Sequence, residues 1–179
     1  MFSKNVFPYN NRVLPLVSDA RHLSCNRIDS LPFQTDVFIH NLTVKGGMIK
    51  GMAINEESIC QQFARIIGGQ EGFAGGKCVA TINRDEIQAT ILGKRFRVTT
   101  SFSFESRDHK TGRALCLGRV ALLQKEVTGF VATIIKQGII VSSIHNEWLC
   151  DDPNLIYVNI EDVDDPLIFA RKVRRALCN

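Results

Sequence analysis

Four alternating apolar runs follow one another with no helical pattern between them: Cys78 to Ile82, Ile87 to Leu92, Phe96 to Phe104 and Leu115 to Leu123. Side chains of a strand point alternately to two faces, so each run predicts a strand with one buried face. Lys94 and the stretch Asp108 to Gly112 (DHKTG) mark reversals between them. Helical spacing brackets the block. Ile59, Phe63, Ile66 and Ile67 form a stripe behind the candidate cap Asn55, and Gly68 and Gly69 end it. Glu126 to Gln137 places Val127, Phe130, Val131, Ile134 and Ile135 on a second stripe that stops at Gly138. Ile139 to Ile144 and Leu155 to Ile160 read as two further strands, separated by a polar loop from His145 to Asn154. Asp165 before Pro166 opens a last helix, because Asp accepts an orphan amide bond and proline at the first helical position lacks an amide. Strands that cluster, without alternating one by one with helices, predict an α+β domain with a largely antiparallel sheet and about three helices packed on it.

This domain spans residues 55–179. Residues 1–54 contain Pro8, Pro15 and Pro32, scattered Asn and Ser, and one apolar run, Val37 to Leu42. They read as an irregular arm with one or two short strands. The 179 residues contain no apolar run long enough to span a bilayer and no signal-peptide core, so the reading is of a leaderless, cytoplasmic protein without a membrane span.

The net charge of +4 is too small to imply a nucleic-acid partner. Its distribution is more informative. Between Arg84 and Arg119 there are eight basic and four acidic residues, whereas Glu147 to Asp165 holds seven acids and no Lys or Arg, so the two segments either attract, if folding brings them together, or present two patches of opposite sign. The cysteines, Cys25, Cys60, Cys78, Cys116, Cys150 and Cys178, form no CxxC pair, and with no export signal they read as reduced thiols used as small hydrophobes.

Several motifs have plain structural readings. Gly75-Gly76-Lys77-Cys78 resembles the end of a phosphate loop, but a helix precedes it, a strand follows it and cysteine stands where Ser or Thr would reach magnesium. The glycine-rich stretch from Gly68 to Gly76 therefore reads as a flexible connection. Arg171, Lys172, Arg174 and Arg175 lie at a helix C-terminus, where they complement the helix dipole. Phe96, Phe102 and Phe104, interleaved with basic residues, suit an RNA-binding sheet in type, yet the alternation in Thr100 to Phe104 (TSFSF) is what one buried sheet face requires. No GxSxG elbow accompanies Ser142 and Ser143.

The most chemical stretch is His145 to Asp152 (HNEWLCDD). Imidazole and carboxylates there suit a divalent cation, with His145 and Glu147 as ligands, or a base with its orienting carboxylate. Solvated loops are also often acidic, and no dense ligand motif such as HExxH is present.

The order of segments from Glu56 to Cys178 resembles the LppY/LpqO family, a bacterial family named after lipoproteins and without an established activity. The resemblance rests on Ile66-Ile67-Gly68-Gly69, Asn83-Arg84-Asp85-Glu86-Ile87 with Gly93, Gly118, Glu126-Val127, Gly138-Ile139, His145-Asn146, Asp152-Pro153, the Tyr157 to Ile160 strand, and Asp165-Pro166 through Arg175-Ala176-Leu177. Where the family pattern has Gly-Asp, His-Asn-His and a second strand histidine, this chain has Gly118-Arg119, His145-Asn146-Glu147 and Tyr157-Val158-Asn159. Three ligand or acid/base positions are thus Arg119, Glu147 and Asn159. Members with export signals and two related units contrast with this single unit. The functional expectation is a small polar ligand or divalent cation held by His145, Asn146, Glu147, Asp152, Arg119 and Asn159. The alternative is a non-catalytic module for a protein partner or for self-association. No nucleophile or complete metal set assigns an enzymatic reaction.

Overall fold

A computed structural model describes residues 56–178, so the arm, its Val37 to Leu42 run and Asn55 lie outside the described residues. The described chain runs α1 (Glu56–Ile67), β1 (Gln70–Ala74), β2 (Lys77–Asn83), β3 (Thr90–Ile91), β4 (Lys94–Arg95), β5 (Thr99–Glu105), β6 (Ala114–Leu123), α2 (Gln124–Lys136), β7 (Ile140–Asn146), β8 (Asp151–Asp152), β9 (Leu155–Asp164) and α3 (Pro166–Leu177). Six strands form one sheet in the order β1-β2-β5-β6-β9-β7, every neighbouring pair antiparallel, and β4-β3-β8 form a small second sheet. The fold class is α+β, as the clustering of strands predicts.

The alternation of each strand decides which face the helices cover. Cys78, Ala80 and Ile82 of β2, Phe102 and Phe104 of β5, Cys116, Val120 and Leu122 of β6, and Val158 and Ile160 of β9 share one buried cluster with residues of all three helices. Phe63 of α1 meets Phe104 edge-on at 5.2 Å and stacks with Phe169 of α3 at 6.5 Å. Of the phenylalanines between basic residues, Phe102 and Phe104 are therefore core residues, and Phe96 is partly buried against the second cluster. Each such ring contributes on the order of 1.5–3 kcal/mol through burial. Gly118 is required by this packing, since a Cβ there would lie 2.7 Å from Ile160 and 2.8 Å from Phe102.

Capping follows the local chemistry. The Asp165 carboxylate accepts from the amides of Leu167 and Ile168 at 2.9 and 3.0 Å, ahead of Pro166. Glu126 accepts from the Leu123 amide at 2.8 Å at the start of α2 and also receives the buried Arg84 guanidinium at 2.9 Å. Arg84 further donates to Glu86 and to the Ala121 carbonyl, so one side chain ties the end of β2 to β6 and α2. Burial opposes its charge, but Glu86 and Glu126 outweigh that and hold it above the usual arginine range. On α3 the basic residues serve the fold. Lys172 pairs with Asp164 at 2.7 Å and Asp162 at 3.5 Å, and Arg174 donates to the Ile67 carbonyl at the end of α1.

Four expectations are corrected. The glycine-rich link contains strand β1, because Gly75 and Gly76 both take positive φ and close a two-residue hairpin between Ala74 and Lys77. The runs at Ile87 to Leu92 and Phe96 to Phe104 yield only Thr90–Ile91 and Thr99–Glu105 as strands; Ile87, Ala89, Val98 and Phe96 fold into a second small core with Ala121, Leu155 and Tyr157. Ile135 faces out of α2 and is exposed. Cys60 and Cys78 are not reduced thiols but a disulfide, because α1 lies across β2 and brings their Cα atoms to 5.5 Å, and Cys178 is disulfide-bonded as well. Cys116 and Cys150 are free. Burial pushes the Cys116 thiol up to about 12, which suits an inert core residue. No helix among the described residues is long and apolar enough to cross a membrane.

Candidate functional site

The face of the large sheet opposite the helices carries the residues that alternate with the core: Ser101 and Ser103 on β5, Leu117 and Arg119 on β6, and Tyr157, Asn159 and Glu161 on β9. Register sets them in rows. Ala121 lies opposite Tyr157, Arg119 opposite Asn159, and Leu117 opposite Glu161. The second small core covers the first row, and the next two stay open, forming a shallow cleft of about 250 Å³ beside Ser101, Ser103 and Ser142.

Strand β7 completes the cleft through a bulge between Val141 and Ser143, which sets two serines against Asn159. Ser142 donates to the Asn159 carbonyl at 3.3 Å, and the Asn159 side-chain amide donates to the Ser143 hydroxyl at 2.9 Å. That hydroxyl lies 3.4 Å from Nδ1 of His145, whose ring stacks on Tyr157 with centroids 6.2 Å apart.

Arg119 is the centre of the arrangement. Its guanidinium lies 4.7 Å from the Tyr157 ring centroid, a cation–π distance, and forms an ion pair with Glu147. Tyr157 is buried and so fixes the guanidinium from below, while the Arg119 side chain remains 49% exposed. The pair also joins the basic segment to the acidic one, the first of the two arrangements open to them. Asp162 and Asp164 pair instead with Lys172, outside that segment pairing.

The sequence candidates thus divide. Arg119, Glu147 and Asn159 meet on one face, and His145 adjoins them through Tyr157 and Ser143. Asn146 braces the following loop by donating to Asn154 and to the Leu155 carbonyl at 3.3 Å. Asp152 belongs to β8, paired with Thr90 of the small sheet. No group of three or more His, Cys, Asp or Glu side chains gathers as a metal centre requires among the described residues. The loop from Trp148 to Cys150 is exposed, and the Leu92 amide donates to the Cys150 carbonyl at 3.2 Å. Leu92, Trp148 and Leu149 therefore stand exposed on adjoining segments at one tip.

The sequence reading missed Ser101, Ser103 and Glu161. Their signal was present in the polar half of the same alternation that identified Phe102 and Phe104 as core.

A family model matches residues 61–179, two thirds of the chain. The chain belongs to the domain of unknown function family DUF1259. No curated protein and no solved structure matches it to significance. The match to the DUF1259 model begins within α1 and contains every strand among the described residues and every residue of the cleft.

Proposed function

We propose that this DUF1259 domain binds a small polar ligand in the cleft around Arg119 and Asn159. The observation that carries this reading is the meeting of Arg119, Glu147 and Asn159, the three positions where the chain departs from the LppY/LpqO pattern it resembles. Three serine hydroxyls, a carboxamide, a guanidinium and the Glu161 carboxylate around a small cavity supply both donors and acceptors. The cation form of the expectation fits the geometry less well, because Glu147 is engaged by a guanidinium that repels a cation. We further read residues 55–179 as the LppY/LpqO-like unit, with residues 1–54 as its arm. The Cys60–Cys78 bond favours an oxidising compartment over the cytoplasmic placement expected from the sequence.

A thermal-shift screen of small polar compounds and divalent cations tests the reading, using wild type, Asn159→Ala and His145→Ala. Compounds whose stabilisation disappears in Asn159→Ala support the cleft. Stabilisation by cations alone, lost in His145→Ala, would replace it with the metal reading.

A second reading, an interaction module, draws on one observation: the exposed tip formed by Leu92, Trp148 and Leu149. A sedimentation experiment decides it, since Leu149→Ser should dissolve any self-association made through the tip.

A further inference from the structure

We infer that the ligand of the cleft is a hydroxylated carboxylate, and that Glu147 occupies its carboxylate position as a built-in competitor. This rests on the reading of the cleft as a ligand site. The two halves of the Arg119–Glu147 pair are held very differently. Arg119 stands on a central strand with its guanidinium over a buried tyrosine ring, a receptor fixed by the sheet. Glu147 lies just beyond the end of edge strand β7, at the head of a loop whose next three residues are exposed. The guanidinium, on a side chain 49% exposed, comes from the sheet and lies over the tyrosine ring, and its carboxylate partner, on a side chain 26% exposed, is presented from a loop.

Chemistry narrows the ligand. A guanidinium presents a planar fork of donors that matches a carboxylate, and Glu147 is its ion-pair partner here. Beside that fork, Ser101, Ser103, Ser142 and Asn159 offer hydroxyl and amide partners, and Glu161 offers an acceptor. Glu161 disfavours a second negative group at its end of the cleft and accepts hydroxyl protons instead. One carboxylate at Arg119 and hydroxyls towards Glu161 describe a sugar acid. A cavity of about 250 Å³ lies just below the usual range of ligand pockets and restricts the occupant to one small molecule. When such a carboxylate takes Arg119, Glu147 leaves it and the adjoining loop is released.

Trp148, the single tryptophan of the chain, follows Glu147 directly and is partly exposed, so its fluorescence reports that exchange. The experiment titrates D-glucuronate, and its neutral amide glucuronamide, into full-length wild type, Glu147→Gln, Glu161→Gln and Arg119→Lys, following both Trp148 emission and calorimetric heat. Glucuronate is expected to saturate with a change in emission, and glucuronamide to bind at least tenfold more weakly. Glu147→Gln should bind glucuronate about fivefold more tightly, the factor set by a partly exposed ion pair. Glu161→Gln removes a charge without removing the competitor and should not tighten binding. Arg119→Lys keeps the charge but loses the fork, and should weaken binding at least tenfold.

Glucuronate binding that is unchanged or weaker in Glu147→Gln overturns the competitor role. Equal binding of glucuronate and glucuronamide, lost in Asn159→Ala, overturns the carboxylate assignment and leaves the cleft reading standing. Heat from neither compound at millimolar concentration in wild type or Glu147→Gln overturns the sugar-acid assignment, and the wider compound screen then decides the cleft reading on its own.

Discussion

Replacing both halves of the Cys60–Cys78 disulfide by alanine should destabilise the protein by about 3 kcal/mol, and the figure follows from the loop it closes. The two residues are 18 apart in sequence. In the chain-entropy model, tying off a loop of that length removes about 3 kcal/mol of unfolded-state freedom at room temperature. Both positions are buried, at 1% and 0% exposure, so alanine is tolerated without exposing a polar group, and the lost sulfur packing adds a fraction more. The double variant is preferable to a reductant, because Cys178 is disulfide-bonded as well and would be reduced with the pair. In urea, with a slope of about 1.5 kcal/mol per molar, the loss moves the unfolding midpoint down by roughly 2 M. A midpoint within experimental error of wild type would refute the loop-closure argument. Peptide mapping that finds Cys60 and Cys78 as free thiols in protein made in an oxidising compartment would refute the bond itself.

Gly118→Ala should cost about 1–3 kcal/mol in the same assay, because its methyl would press on the fully buried side chains of Ile160 and Phe102; an unchanged midpoint would show that the two side chains have room to shift. Burial opposes the charge on Lys172, but Asp164 and Asp162 outweigh it and hold its pKa above the ordinary lysine value. A raised folded-state pKa means that its contribution is complete below the ordinary value of about 10.5 and fades as pH rises through the folded value. The stability difference between wild type and Lys172→Met should therefore be constant from neutral pH to about pH 9 and shrink above about pH 10.5, and a difference that persists at higher pH would contradict it. Restoring the pattern the chain resembles, with Arg119→Asp, Glu147→His and Asn159→His together, should create one zinc site with His145, detected by elemental analysis. A folded triple variant that retains no metal would show that these positions do not converge as ligands.

Legibility in the sequence followed the range of the interaction. Asp165 and Pro166 announce α3 because an N-cap is a bond between neighbours, and the alternation from Thr100 to Phe104 announces β5 because a strand's two faces are written into its own residues. Strand β1 was hidden because Gly75 and Gly76 speak equally for flexibility and for a two-residue turn, and only the partner strand decides between them. The disulfide was hidden for a similar reason. Its two cysteines are joined by the crossing of α1 over β2, which no spacing rule encodes. Arg84 and Glu126 stood out only as parts of a resemblance, and the structure supplies the reason: one buried guanidinium and one carboxylate hold three elements together.

The cleft shows the same division more sharply. As a sequence feature, His145 to Asp152 looked like the site because its polar residues are contiguous, yet contiguity placed Asn146 as a brace and Asp152 in another sheet. What gathers the chemistry is cross-strand register, which sets Arg119 of β6 beside Asn159 of β9, with Glu147 reaching them from beyond β7. Register also explains why the three departures make sense only together. Arginine alone, opposite a histidine and near a second one, would stand among groups that compete for its charge or repel it when protonated. With a carboxylate at 147 and a neutral carboxamide at 159, the guanidinium gains a counter-ion and an uncharged neighbour; Ser143 of the β7 bulge accepts from the carboxamide and Ser142 donates to the Asn159 backbone carbonyl. The site is therefore not a family centre with one ligand missing. Its polar groups partner one another, and under the proposed ligand reading a ligand must offer Arg119 more than Glu147 does.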